Sequence, residues 1–255
     1  MGRLFKDLLI QHKPFIGTFI QLPCPDMVEI FSYSGFDFVI IDNEHSCIST
    51  ETTVNMLRAA DASNIASLVR ISELSETAVK KALDSGASGI MCPQVSSYEE
   101  AQRVVHYAKY YPEGYRGTCT GVRSNRFGQG GKEYFEQANR DTSVIIMIEG
   151  IKGIESFDQI LSVKGIDGIM CGPADLSMSL GVPGEIYHPK ALDAMKDMTK
   201  KAKEKGIAVG AYCRTPEDAL MWLTLGVDFI TYWMDGAIIL DSATKIVNEI
   251  KSIKR

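Results

Sequence analysis

Short apolar runs rich in β-branched residues alternate along this chain with segments whose apolar residues recur at helical spacing. The clearest case is residues 143–177, where two apolar runs, 144–148 and 168–171, flank a segment with helical periodicity. Two strand-like runs joined by a helix predict a βαβ unit with parallel strands. The right-handed crossover of such a unit brings the carboxyl ends of both strands to one edge of the sheet.

The alternation continues over the whole chain and predicts eight strands. They lie at residues 16–22, 38–41, 66–69, 89–92, 144–148, 168–171, 208–211 and 229–232. Helices are predicted at 26–33, 51–62, 77–84, 98–110, 151–161, 189–205 and 216–225, with a last helix capped by Asp235. This order, in a chain of 255 residues, predicts a single (β/α)₈ TIM-barrel domain over residues 1–255. A doubly wound open sheet is the alternative, but no GxGxxG follows the first strand and no P-loop occurs.

The composition of the chain mainly excludes certain partners and certain roles for the cysteines. The chain is 45% hydrophobic and 23% charged, with a formal net charge of -5 and no basic stripe of the kind that binds nucleic acid. No stretch approaches the roughly 20 apolar residues of a membrane-spanning helix, so we expect neither a nucleic-acid nor a membrane partner. The six cysteines are scattered singly. Single cysteines without a CxxC or Cys/His cluster indicate reduced thiols, and we expect a cytoplasmic protein.

Residues 111–140 interrupt the alternation, because they are rich in Gly, Arg and aromatic residues without a clear period. A loop of this length inside a compact domain is usually functional. Arg123 and Arg126 lie within it and are candidates to meet a carboxylate of a substrate, although a solvated loop is an equally good interpretation of Arg126.

Polar side chains follow most of the predicted strands. In a barrel all strand carboxyl ends open on one mouth, so residues distant in sequence converge there. Those at or just after the strand ends are Gln21, His45, Arg70, Gln94, Glu149, Asp175, Tyr212 and Trp233. Two carboxylates here, Glu149 and Asp175, predict a site for a divalent cation held by oxygen ligands. Alternatively, these carboxylates only cap the segments that follow them. A histidine and an arginine beside them could move a proton and neutralise an anion, although His45 could also be a structural imidazole.

Four segments carry a resemblance to a known family. Residues 42–45 (DNEH), 112–117 (PEGYRG), 148–149 (IE) and 172–177 (GPADLS), in this order, resemble the HpcH/HpaI family of metal-dependent pyruvate aldolases. The resemblance implies a TIM barrel of the phosphoenolpyruvate/pyruvate type and a class II aldolase that joins or separates a pyruvate enolate and an aldehyde. It implies that Glu149 and Asp175 hold the metal. Mg²⁺ or Mn²⁺ suits oxygen ligands best, with Co²⁺ or Zn²⁺ as substitutes.

The resemblance also implies roles for the other residues of the mouth. Arg70 would donate to the keto or enolate oxygen, and the segment Gly172, Pro173, Ala174 and Asp175 would receive the substrate carboxylate. His45 would be the general base, with Asp84 as its acidic partner. Asp84 lies at the carboxyl end of a predicted helix, hence at the opposite mouth of its own barrel, so we expect a neighbouring subunit to donate it. A solvated or intrahelical Asp84 is the alternative.

The remaining site candidates surround this set. Asp42 and Gln21 are expected beside the catalytic groups, and Arg123, Tyr212 and Trp233 beside the acceptor aldehyde. Tyr212 and Trp233 are bulky for a small sugar-acid aldehyde, which favours an aromatic or otherwise unusual acceptor unless they only plug the barrel. Members of the family commonly carry Gln where this chain has Met147, so its metal affinity or preference is expected to differ.

Several functions remain open at this point. The same site could decarboxylate oxaloacetate, because loss of CO₂ gives the same enolate. An acyl-CoA lyase of the citrate-lyase type is the alternative among enzymes, but there is no basic patch for a CoA diphosphate. A non-catalytic barrel that binds a 2-oxo acid is the alternative of another class, although none of the expected catalytic residues is lost. The resemblance further implies a homohexamer, a trimer of dimers, assembled by exchange of the C-terminal helix.

Overall fold

Eight parallel strands form a closed barrel in the computed structural model, which describes residues 2–11 and 13–253. Each strand pairs with the next along the chain, and the last pairs with the first. The strands are β1 (Phe15–Ile20), β2 (Phe38–Asp42), β3 (Ala66–Arg70), β4 (Gly89–Cys92), β5 (Ser143–Ile148), β6 (Gly168–Cys171), β7 (Ala208–Cys213) and β8 (Phe229–Met234). The predicted TIM barrel is confirmed.

Helices connect the strands on the outside of the barrel. They are α1 (Phe5–Ile10), α2 (Pro25–Tyr33), α3 (Thr50–Ser63), α4 (Glu76–Asp84), α5 (Tyr98–Ala108), α6 (Tyr134–Asp141), α7 (Ile151–Glu155), α8 (Phe157–Ile160), α9 (Pro173–Ser179), α10 (Pro189–Glu204), α11 (Pro216–Thr224) and α12 (Asp235–Ser252). A 3₁₀ segment, Arg123–Gly128, precedes α6. None of the helices in the described part of the chain has the length and apolar character needed to cross a membrane.

Three helical predictions need correction. The helix predicted at 151–161 is two short helices that meet at Ser156, whose ψ of 3° interrupts the α-helical geometry. The segment 111–140, predicted as an irregular loop, contains α6. Asp235 does not cap the last helix, because the N-cap is Met234. The buried Asp235 carboxylate instead accepts hydrogen bonds from the backbone of Gln21 (3.1 Å) and Leu22 (2.9 Å), which joins the end of β1 to the start of α12.

The interior of the barrel is filled at its amino-terminal end by aromatic rings. Phe5 of α1 is fully buried, and its ring centroid lies 5.1–5.5 Å from those of Phe15, Phe38 and Phe229, the first residues of β1, β2 and β8. A second apolar layer lies between the strands and the surrounding helices. Because α1 closes the amino-terminal end, the carboxyl ends of the strands are left as the open mouth.

Helix α12 is covered by its own subunit only at its start. Beyond the first turn its apolar side chains are exposed: Ile239, Leu240, Ile246, Val247 and Ile250 are 45–69% accessible. A helix with this much exposed aliphatic surface is typical of one that packs against another protein surface.

Candidate active site

An arginine–aspartate pair lies at the centre of the mouth. Asp42 and Arg70 end the neighbouring strands β2 and β3 and are directly paired in register. Arg70 donates from Nε and Nη2 to the two carboxylate oxygens of Asp42, at 2.9 and 2.7 Å, and its guanidinium lies 4.6 Å from the Phe19 ring centroid. Burial alone would raise the pKa of Asp42, but the bonds and charge of Arg70, with a hydrogen bond from Gln21 Nε2 (2.8 Å), hold it below its usual value. The arginine is therefore fixed in one orientation before any substrate binds.

The turn after β2 places two further groups beside this pair. Asp42 Oδ1 also accepts hydrogen bonds from the backbone N–H groups of Glu44 (3.0 Å) and His45 (3.2 Å). Glu44 Oε2 then lies 3.2 Å from Arg70 Nη1 and 3.7 Å from His45 Nε2, and Glu44 Oε1 accepts from Gln94 Nε2 at 3.4 Å. Burial raises the pKa of Glu44, although the charges of Arg70 and His45 oppose this. One folded turn thus brings an acid and an imidazole to the arginine.

Glu149, which follows β5, is a buried carboxylate that is only 7% exposed. Its Oε2 accepts a hydrogen bond from the backbone N–H of Gln94 at 2.8 Å, and Gln94 adopts a left-handed φ of 56° to provide it. A Cβ at Gly172 would overlap Glu149 Oε1, so a larger residue at this position would displace the Glu149 carboxylate. Burial, together with the charges of Glu44 and Asp175, raises the pKa of Glu149 to about 7. Glu149 bonds to Gln94 and not to the amides of the helix after it, so it is not a helix cap.

Asp175 reaches the same region from the neighbouring strand. Strands β5 and β6 are paired, and β6 leads through Gly172 and the buried Pro173 into α9. Ala174 and Asp175 lie in the first turn of α9 and are exposed to solvent. A carboxylate in a first turn is favoured by the helix dipole, so the capping interpretation remains open for Asp175.

The charges of the mouth fit a bound cation. The charges of Glu44 and Asp175 raise the pKa of Glu149, and the charge of Asp175 also raises that of Glu44, whereas the charge of Arg70 is largely satisfied by Asp42. Across residues 2–11 and 13–253 no group of three or more His, Cys, Asp or Glu side chains has the arrangement of a metal site. Glu149 and Asp175 are the two side chains that could hold a divalent cation here, and substrate and water would supply its other oxygen ligands.

Two of the predicted site residues lie at the other end of their own barrel. Asp84 ends α4 and accepts a hydrogen bond from Arg116 Nη2 at 2.6 Å, so its carboxylate, which is 20% exposed, is paired outside its own helix. Arg123 donates to the backbone carbonyl of Ser85 (2.8 Å) and to the Asp61 carboxylate (2.5 Å). The structure thus brings neither Asp84 nor Arg123 to the mouth of the subunit that contains it.

Tyr212 and Trp233 lie on the last two strands, and both are half-buried. Tyr212 packs against the apolar interior of the barrel, and burial raises its pKa. Trp233 has a left-handed φ of 45°, and the register between β1 and β8 shifts at this point. A bulky residue in that conformation is an outlier of the kind that often occurs at functional sites. Met147 is buried inside the barrel, with its backbone paired to Met170, and donates no hydrogen bond to the mouth.

Glu44 and Gln94 are the residues of the mouth that were not assigned a role from the sequence. Glu44 lies inside the DNEH segment, and Gln94 lies just after β4. Their roles depend on contacts across neighbouring strands, which residue spacing does not reveal.

Comparison with known proteins settles the family. The model of the HpcH/HpaI aldolase/citrate lyase family matches residues 16–241. The chain belongs to this family. It is 32% identical over 247 residues to the 5-keto-4-deoxy-D-glucarate aldolase of Salmonella paratyphi C, and the match covers 97% of this chain and 96% of the relative. As an HpcH/HpaI family member with aldolase relatives of this similarity, it is a carbon–carbon lyase.

Solved structures agree with this assignment. The HpcH/HpaI aldolase of Desulfitobacterium hafniense DCB-2 superimposes with a TM-score of 0.93 at 29% identity, covering 99% of this chain and 98% of the other. The citrate synthase SbnG superimposes with a TM-score of 0.90 at 31% identity, covering 97% of both chains.

Proposed function

We propose that this HpcH/HpaI protein is a class II pyruvate aldolase, which uses a divalent metal to cleave or form the bond between a pyruvate enolate and an aldehyde. The observation that carries the proposal is the buried Glu149 carboxylate, close to Asp175 and beside an arginine that Asp42 holds in place. A bound cation would offset the negative charge of a buried acid that has other acids around it, and a preoriented arginine suits an oxygen on which negative charge develops.

The metal, Mg²⁺ or Mn²⁺ by preference and Co²⁺ or Zn²⁺ as substitutes, would be held by Glu149 and Asp175 and would act as a Lewis acid. Arg70 would donate to the keto oxygen of the 2-oxo acid and stabilise its negative charge in the enolate. The segment from Gly172 to Asp175, which includes Pro173 and Ala174, would receive the substrate carboxylate through its backbone N–H groups.

His45 would move the proton. In the cleavage direction it takes the proton of the hydroxyl group, the carbon–carbon bond breaks, the aldehyde leaves, and the bond's electron pair remains on the three-carbon fragment as the enolate. Protonation of the enolate carbon then gives pyruvate. The His45 side chain is 59% exposed at the mouth, which leaves it accessible to an incoming hydroxyl or to a water between them.

Asp84 of a neighbouring subunit remains the predicted partner of His45 in the family pattern. For that role Asp84 would have to reach another barrel from the end of α4, where Arg116 binds it. Arg123, on the same face as Asp84, would reach an acceptor carboxylate by the same route.

The exposed apolar side of α12 supports an oligomer. We propose that α12 packs on a second copy of this chain, as in a hexamer built from three dimers, because Leu240 (69% exposed) and Ile250 (63%) would otherwise remain in water. We also propose a cytoplasmic location, since all six cysteines are free thiols, which that compartment keeps reduced.

The substrate we propose first is a dicarboxylic 2-oxo acid derived from a sugar, because the relatives are named 5-keto-4-deoxy-D-glucarate aldolases. Tyr212 and Trp233 would meet the aldehyde part. The likeness to SbnG favours a second candidate, the formation of a citrate-type product, at the same site. Oxaloacetate decarboxylation would be a side reaction of either, and the acyl-CoA lyase remains an alternative.

The test is turnover by protein stripped of metal with a chelator. Pyruvate release from 5-keto-4-deoxy-D-glucarate and from oxaloacetate is followed with and without Mg²⁺, Mn²⁺ or Co²⁺, for the wild type and for Glu149→Ala. Glu155→Ala, which removes an exposed carboxylate from the following helix, is the matched control. We expect activity that metal restores, that Glu149→Ala abolishes and that Glu155→Ala retains. Tight binding of pyruvate with no turnover under any metal would contradict the proposal and favour a binding protein.

A further inference from the structure

Strand β8 has one residue more than β1 where the two strands pair near the mouth. Gly17 pairs with Thr231 and Phe19 pairs with Met234, so two steps along β1 correspond to three along β8. Trp233 lies in this stretch, and its left-handed φ of 45° marks the bulge. Because side chains alternate between the two faces of a strand, one extra residue re-aims the side chains that follow it.

Asp235 follows the bulge and is fully buried. Its Oδ1 accepts hydrogen bonds from the backbone N–H groups of Gln21 (3.1 Å) and Gly236 (2.8 Å), and its Oδ2 accepts one from Leu22 (2.9 Å). A buried carboxylate is costly unless donors satisfy it, and both oxygens here have donors. Gln21 and Leu22 lie just beyond Ile20, the last residue of β1, so Asp235 fixes the main chain where strand pairing has ended.

Gln21 connects this anchor to the arginine of the mouth. Its Nε2 donates to Asp42 Oδ2 at 2.8 Å, and the same oxygen accepts from Arg70 Nη2 at 2.7 Å. Arg70 Nε donates to the other oxygen of Asp42 at 2.9 Å. Gln21 therefore limits the rotation of the carboxylate, and the carboxylate sets the plane of the guanidinium, since the two groups share a pair of parallel hydrogen bonds.

These contacts are complete within one subunit. The side chains of Asp235 and Asp42 are 0% exposed, so a second copy packed on the surface of the barrel cannot contact them. The chain of hydrogen bonds from Asp235 to Arg70 is therefore independent of how the protein assembles.

We propose that Asp235 is a positioning residue for Arg70, which it holds in orientation through Gln21 and the Asp42 carboxylate. Because Asp235 is fully buried, its effect reaches the substrate only through the arginine, which must face the oxygen where negative charge develops. The bulge at Trp233 brings Asp235 to this place, which gives the strained backbone a role. The inference rests on the proposed function for the statement that Arg70 stabilises an enolate, whereas the hydrogen-bonded connection does not.

The connection is tested first without reference to activity. Asp235→Asn keeps the size of the side chain, but a carboxamide accepts through one oxygen, so the N–H of Gln21 or of Leu22 loses its acceptor. The Mg²⁺-loaded oligomer, labelled with ¹⁵N-arginine, is observed by proton-detected solid-state NMR, and exchange of the Arg70 Nε–H with deuterated solvent is followed. The Arg70 signal is the one absent from Arg70→Lys. We expect exchange at least about tenfold faster in Asp235→Asn than in the wild type, because the guanidinium separates from Asp42 more often.

Asp228→Asn is the matched control. Asp228 lies just before β8, and its Oδ2 accepts the backbone N–H of Val209 at 2.8 Å, so this variant weakens a similar contact at the opposite end of the same strand. It should leave the Arg70 exchange rate within about twofold of the wild type. Unchanged exchange in Asp235→Asn, or equal acceleration in both variants, would overturn the inference. If Asp235→Asn does not fold, the test is made on Gln21→Leu, which keeps the main-chain contact and removes the Nε2 donor, and wild-type exchange in that variant would overturn the inference as well.

A double-mutant cycle on pyruvate release then tests the consequence. Asp235→Asn should lower kcat by about tenfold and leave KM within about twofold, since Arg70 acts on charge that develops in the transition state. In the Arg70→Lys background the same change should lower kcat by less than about twofold, because the paired contact through which it acts is already lost. A full loss in that background, or an unchanged kcat in the single variant, would refute the positioning role. If the wild type releases no pyruvate, the proposed function is wrong, and hydrogen exchange still decides the connection.

Discussion

Glu149→Gln should stabilise the metal-free protein and, at the same time, abolish its response to metal. Burial, with the charges of Glu44 and Asp175, raises the pKa of Glu149 from 4.5 to about 7. The folded state therefore holds the Glu149 proton more tightly than the unfolded state, so the contribution of Glu149 to stability is full below pH 4.5 and is lost as the pH rises through 7. A glutamine keeps the shape and has no charge to bury.

The magnitude follows from the two pKa values. A difference of about 2.5 units corresponds to about 3 kcal/mol of destabilisation in the wild type at about pH 8.5, and to about 1 kcal/mol at about pH 5.5. In a chain of this length about 3 kcal/mol is on the order of a 10 °C change in Tm. Glu149→Gln should recover most of this difference at the higher pH and less at the lower one.

The assay is thermal unfolding of wild type and Glu149→Gln in chelator at both pH values, repeated with Mg²⁺ or Mn²⁺. In metal the order should reverse, because metal that binds only the folded wild type stabilises it by RT ln(1 + [metal]/Kd), whereas the variant has lost a ligand. Glu155→Gln, on the exposed surface, serves as the control and should change Tm little at either pH. A Glu149→Gln variant that is less stable than the wild type in chelator, or equally shifted at both pH values, would refute the electrostatic reasoning.

Substitutions at three other positions test the geometry of the mouth. Gly172→Ala puts a Cβ against Glu149 Oε1, closer than two such atoms can approach, and should abolish metal-dependent activity while the purified protein remains folded by circular dichroism. A fully active variant would be inconsistent with this packing. Arg70→Lys keeps the charge but cannot form both hydrogen bonds to Asp42, so kcat should fall on the order of 10²-fold. An unchanged kcat would show that the paired hydrogen bonds to Asp42 are not needed for activity. Gln94 has a left-handed φ of 56°, which a β-branched residue adopts only with strain. Gln94→Val should therefore lower the unfolding free energy by about 1–2 kcal/mol, and Gln94→Gly by much less. Equal losses for the two variants in denaturant titrations would exclude backbone strain as the cause.

The barrel and most of its mouth could be predicted from local pattern. Apolar runs separated by helical periods determine the order of elements, and the order of a (β/α)₈ barrel determines that residues after each strand share one end. Arg70 and Glu149 were therefore expected at one mouth from the strand order, and Gly172 from the family resemblance, and the structure brings all three to that mouth.

Local pattern was less informative where tertiary contacts stabilise an element. Helix α6 has little apolar periodicity, since Tyr134 and Asn139 are its buried residues. It is held instead by hydrogen bonds, from Lys109 Nζ to the carbonyl of Asn139 (2.6 Å) and between the Asn139 amide and the backbone of Tyr110 (2.7 and 2.9 Å). Such bonds join residues about 30 positions apart, so no window of sequence contains them.

The sequence by itself determined the fold class, the family and the chemical types of the groups at the mouth, because these depend on periodicity and on a few ordered motifs. The tertiary structure alone decided how those groups share their bonds. It showed that the Asp42 carboxylate binds the Arg70 guanidinium and that the Glu44 carboxylate lies beside the His45 imidazole. It also showed that Arg116 binds Asp84 at the other end of its own barrel. Spacing along a chain predicts which end of a strand a residue occupies, but hydrogen-bond partners depend on register, rotamer and burial, which exist only once neighbouring strands have packed.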